Sequence, residues 1–160
     1  MANTLPQLIE EDIQRLEDLL SDLLEKSEAT AALIIDQGGF LICSQGESRR
    51  FDLTTIAALA SGAFLANQTI ANLIHETNFN SVYQQGEKFS MFVACVDEHC
   101  LLVVIFKAQL SVGVVKYYAI PAAQQIAAQM QVAQQRDPGA GLDLSELNLA
   151  DTADVFKRRT

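Results

Sequence analysis

The chain reads as an α+β (α/β) domain, a five-stranded antiparallel sheet flanked by helices in the order α-β-β-α-β-β-β-α. Three observations predict this. Apolar residues recur at helical spacing over residues 8–27. Short apolar runs separated by Gly- or Asp-marked turns lie on either side of a second helical stretch. The last two of those runs are almost solidly apolar, as strands covered on both faces are.

The first helix carries Leu8, Ile9, Ile13, Leu16, Leu19, Leu20, Leu23 and Leu24 as its apolar side. Glu10, Glu11, Asp12, Glu17, Asp18, Asp22 and Glu25 read as its solvated face. Two apolar runs, 31–35 and 40–43, flank Asp36-Gln37-Gly38-Gly39 and predict a β-hairpin. A polar loop with Arg49 and Arg50 follows, and Asp52 can cap a middle helix over 53–75. Three strands are predicted at 79–84, 88–97 and 100–107, with turns at Gln85-Gly86-Glu87 and Asp97-Glu98-His99. Gly113 interrupts the pattern before a final helix over 121–135. The Pro- and Gly-bearing stretch from Arg136 to Gly141 then ends the domain, giving one unit over 1–135 and a linker and tail over 136–160.

The middle helix is unusual because it contains no formally charged residue. At 100° per residue, Ile56, Leu59, Ala63, Ile70 and Ile74 fall on one stripe, expected to face the core. The opposite side collects Ala58, Ser61, Gly62, Leu65, Thr69 and Asn72, expected to face a partner. A solvated face would carry Lys, Glu or Arg. Small residues instead allow another surface to approach closely at little entropic cost. Thr54, Thr55, Ser61, Asn67, Gln68, Thr69 and Asn72 break the apolar run too often for a membrane span. The strand over 79–84 carries no Lys, Pro or inward charge to block edge pairing, so Phe79, Ser81 and Tyr83 are the candidate edge of a two-fold dimer.

The 160 residues are 49% hydrophobic with a formal net charge of −9, a composition that argues against nucleic acid as a partner. The N-terminus lacks a signal-peptide layout, and the three cysteines do not suggest a disulfide framework, so a cytoplasmic setting is expected. Cys95, His99 and Cys100 could be imagined as metal ligands, but no second ligand pair has suitable spacing. No phosphate-loop, nucleophile-elbow or zinc-protease motif is present. Neither a catalytic residue, a metal site nor a cofactor of the chain's own is therefore expected. In the tail, Asp151 can cap a short helix whose Val155 and Phe156 would anchor in a partner's groove, with Lys157, Arg158 and Arg159 at its C-terminal end; a frayed acidic tail is the equal alternative.

With the Ala32–Phe40 segment, the element order resembles the Roadblock/dynein light chain superfamily. Residues 53–62 and 73–79, Gln85-Gly86-Glu87, residues 101–106 and Val112-Gly113-Val114-Val115 narrow the resemblance to the MglB-type bacterial polarity regulators. The similarity runs from about Ala29 to Met130, and the linker and tail also look similar. The resemblance implies a homodimer with a continuous ten-stranded sheet and its paired middle helices on one face. Two such subunits would bind one Ras-like small GTPase of the MglA type. They would stimulate hydrolysis by holding it in a competent conformation, without donating a catalytic residue. GTP and magnesium would belong to the GTPase, and recruitment to a cell pole would follow. By position, Leu65 and Thr69 match the GTPase-facing part of the helix. Lys107-Ala108-Gln109-Leu110 departs from the Asp usual soon after the strand, leaving that loop's contacts open. Arg49 and Arg50 invite an arginine-finger reading, set against that of an ordinary solvated loop. The alternative functions are a scaffold that anchors a GTPase or motor complex without altering turnover, and a metal- or thiol-dependent enzyme using Cys95, His99 and Cys100.

Overall fold

The computed structural model describes residues 5–47 and 49–136; the linker beyond Arg136 and the tail, with Val155 and Phe156, lie outside them. The order is α1 (Glu10–Ser27), β1 (Ala31–Asp36), β2 (Leu41–Gly46), α2 (Leu53–Leu73), β3 (Ser81–Gln84), β4 (Phe89–Cys95), β5 (Cys100–Lys107) and α3 (Val112–Gln135). The expected α+β architecture is therefore present. The strands lie in the order β2-β1-β5-β4-β3, and every neighbouring pair is antiparallel. β5 is central and buried from Cys100 to Phe106, as its unbroken apolar run requires.

The sheet separates two cores. On one side Leu16, Leu19, Leu20 and Leu23 of α1, with Ala119, Ile126 and Met130 of α3, pack on Ala32, Ile34, Phe92, Leu102, Val104 and Phe106. On the other, Leu53, Ala57, Ala60 and Phe64 of α2 pack on Leu33, Ile35, Val93, Leu101, Val103 and Ile105. Strand side chains alternate between these layers, so the residues on one strand serve both cores.

Two expectations are corrected. Asp12 is fully buried rather than part of a solvated face. Its carboxylate accepts from the Ile9 amide at 2.9 Å, from Gln129 Nε2 at 2.8 Å, and from Arg136 Nη1 and Nη2 at 2.7 and 3.0 Å. These bonds tie the start of α1 to the end of α3, and they draw Arg136 onto the domain. Second, α3 begins at Val112 rather than at Pro121. The Ser111 hydroxyl accepts from the Gly113 amide at 3.1 Å and caps the helix, so Gly113 lies in its first turn. Pro121 then sits mid-helix at an exposed position. It lacks the amide proton for the bond back to residue 117.

A candidate partner-binding face on α2

α2 starts where Asp52 accepts from the Thr55 amide at 3.2 Å and from its hydroxyl at 2.7 Å. It ends at Leu73, and His75 beyond it adopts a left-handed φ of 63°. The helix sits close to the sheet because its inward positions are small. Ala57, Ala60 and Ser61 are buried beside Leu53 and Phe64, and the Phe64 ring meets Phe79 at 5.1 Å. At the β1–β2 turn the approach is closer still. A side chain at Gly39, whose φ is 96°, would come within 3.1 Å of the Ala58 Cα.

The helix is thus rotated by about a quarter turn from the orientation its apolar stripe suggests, at 100° per residue. Leu59, Ile70 and Ile74, expected in the core, are 68%, 54% and 70% exposed; Ala63 is also exposed and Ile56 half-buried. Of the expected partner-facing residues, Ala58, Gly62, Leu65, Thr69 and Asn72 are exposed. Ser61 is the exception. It is buried, and its hydroxyl donates to the Gln37 carbonyl at 2.6 Å, fastening α2 to the β1–β2 turn. Leu59, Ile70, Leu73 and Ile74 are surface residues that the wheel misses; the absence of charge all around the helix is the signal for them. By length and composition α2 could cross a bilayer, but here it lies on the sheet with Ala57 and Phe64 buried against it.

β3 lies at the sheet edge. The Cys95 amide donates to the Asn80 carbonyl at 2.8 Å, and Ser81 and Tyr83 register with Ala94 and Phe92. Alternation along an antiparallel ladder then points the backbone groups of Ser81 and Tyr83 toward the open edge. Phe79 precedes the strand and seats α2 instead, through its contact with Phe64.

The remaining candidates are separated or already engaged. Cys100 packs in the α1–α3 core, while Cys95 packs on the α2 side of the sheet. Burial pushes the Cys43 and Cys100 thiols up to about 12, and burial raises Cys95 as well, so they are protonated at neutral pH. His99 is buried, with Nε2 3.4 Å from Glu98 Oε1. Among the described residues, no three His, Cys, Asp or Glu side chains are grouped to hold a metal. Arg50 pairs with Glu47 at 3.1 Å and lies over the Phe89 ring at 4.9 Å, close to the start of α2.

An apolar helix laid across an antiparallel sheet, with two helices behind it, matches a known domain. The family model of the Roadblock/LC7 domain fits residues 15–106. The chain belongs to the Roadblock/LC7 family. Three solved structures are similar to this Roadblock protein over most of both chains. An MglB described in a tetrameric arrangement is 28% identical, with a TM-score of 0.75, over 82% of this chain and 99% of its own. The gliding protein MglB of Thermus thermophilus is 28% identical, with a TM-score of 0.74, over 81% and 98%. Myxococcus xanthus MglB is 26% identical, with a TM-score of 0.75, over 81% and 98%. No curated protein sequence matches at the same level of significance.

Proposed function

We propose that this Roadblock protein regulates a Ras-like small GTPase of the MglA type, binding it through the outer face of α2 and accelerating its GTP hydrolysis. The observation that carries this reading is the exposed, charge-free surface around Leu59, Leu65, Ile70 and Leu73. A monomer gains nothing from leaving so many large apolar side chains in water. The likeness to three MglB structures supports a GTPase of that class as the partner. Two subunits joined through the β3 edge would place their α2 helices side by side, making one platform for one GTPase.

Ala58, Gly62, Leu65, Thr69 and Asn72 would meet the GTPase, and Val155 and Phe156 of the tail would add a second anchor. GTP, magnesium and the catalytic groups would belong to the GTPase. Arg50 is held by Glu47 and Phe89, which favours a structural task over an arginine finger. The setting would be the cytoplasm, with recruitment to a cell pole in the control of polarity or motility.

GTP turnover by an MglA-type GTPase, measured with and without this protein, tests the reading. Stimulation is expected, and Leu65→Arg should abolish it while leaving the fold intact, because Leu65 is 59% exposed. Undiminished stimulation by Leu65→Arg would show that another surface binds. Binding without any change in turnover would instead support the scaffold function.

A further inference from the structure

On the side of the sheet away from α2, helices α1 and α3 run antiparallel and leave a groove of about 290 Å³ between the C-terminal half of α1 and the N-terminal half of α3. Leu19, Leu23, Tyr118, Pro121 and Ala122 make its walls, and Tyr117, 72% exposed, stands at its mouth. On the α1 side Asp22 lines the groove and pairs with Lys26 at 2.8 Å, and Asp18 lies one turn before it. Both partners of the Asp22–Lys26 pair are about half exposed, so the pair holds little energy and can be shared with an incoming cation.

We infer that this groove receives the chain's own C-terminal segment, with Val155 and Phe156 seated between α1 and α3 and Lys157, Arg158 and Arg159 over the Asp18–Asp22 edge. Three features select this occupant. The point of departure is fixed, because Arg136 is clasped to Asp12 at the far end of the same helix pair. From there back to Tyr118 is a helical distance of about 27 Å at the α-helical rise. Phe156 lies twenty residues beyond Arg136, and a chain of that length can span at most about 70 Å. The groove therefore lies within its reach. The charges are compatible too: a cluster of three cations directly follows the apolar pair, and α1 brings Asp22 to the groove beside Lys26, with Asp18 one turn away, while α3 contributes no acidic residue.

The docked segment lies behind the sheet, away from α2. Docking thus stores the tail where it cannot compete for the α2 face, and an apolar groove elsewhere can draw it out only by binding it more tightly. The inference concerns the chain without a GTPase, so its test is independent of the proposed function.

The chain has three tyrosines, Tyr83, Tyr117 and Tyr118. Two line the groove, and Tyr83 on the β3 edge does not. Fluorine NMR of the full chain labelled with 3-fluorotyrosine reads the groove directly. Phe156→Asp should move the Tyr117 and Tyr118 lines and leave Tyr83 in place, while Phe156→Leu should keep the wild-type lines. Amide exchange at residues 154–157 should be at least about tenfold slower in the wild type than in Phe156→Asp. Identical Tyr117 and Tyr118 lines in wild type and Phe156→Asp would overturn the inference. Adding unlabelled wild-type protein to labelled Phe156→Asp should change nothing. Return of the lines toward the wild-type positions would show tails binding other chains and would equally overturn docking within the chain.

Discussion

The carboxylate of Asp12 gathers two helix ends that lie more than a hundred residues apart, and it does so with no solvent contact. The hydrogen bonds and charge of Arg136 hold its pKa at about 2, below the ordinary 3.8. A lowered folded-state value means stability that is present above pH 3.8 and lost as the pH falls toward 2. That difference corresponds to about 2 kcal/mol. Asp12→Asn should therefore cost about 2 kcal/mol near neutral pH, the stability carried by the ionised carboxylate. In urea melts, the gap between wild type and variant should shrink as the pH is lowered from 4 to 2; a gap that stays constant would assign the loss to packing. Nothing local in the sequence identifies Asp12 among its acidic neighbours. Its burial depends on Gln129 and Arg136, which only the folded chain brings near.

At the scale of elements, β5 and the α1 leucines are legible because their patterns leave one solution: an all-apolar strand goes to the centre of a sheet, and a narrow leucine stripe faces it. α2 is legible as a helix and as a binding surface but not in its rotation. With apolar residues on nearly every side, the wheel offers two large stripes, and bulk favours the wrong one. Closeness to the sheet decides instead, turning Ala57, Ala60 and Ser61 inward and leaving Leu59 and Ile70 outside. The two placements make opposite forecasts for thermal or urea melts. Phe64→Ala should lower stability by about 3 kcal/mol, whereas Leu59→Glu should change it by less than about 0.5 kcal/mol. A large loss from Leu59→Glu in the isolated subunit would restore the original stripe to the core. The beginning of α3 is hidden for a different reason: Pro121 resembles a helix start, while the Ser111 cap that sets the true one lies upstream.

For the whole molecule, the consequence of the strand order is that a four-residue strand closes one side of the sheet. Ser81→Pro removes an outward-pointing donor without touching the β4 ladder. Sedimentation velocity should show the variant at a smaller mass than the wild type, with an unchanged circular dichroism spectrum. If both sediment alike as dimers, subunits meet elsewhere. This edge is readable from the lack of Lys and Pro in the strand, while its position in the sheet comes only from the fold.

The two layers of the molecule are unequally anchored. α1 contributes four buried leucines to its side, whereas α2 holds on chiefly through Leu53, Phe64 and alanines. Shallow anchoring predicts that α2 opens ahead of the strands beneath it, which amide exchange in the isolated protein would read as weaker protection along 53–73 than along β5. Whatever settles on its outer face then completes the folding of that layer. Part of the measured affinity will accordingly be the cost of ordering α2, and a substitution that stiffens the helix without touching the partner should tighten the complex.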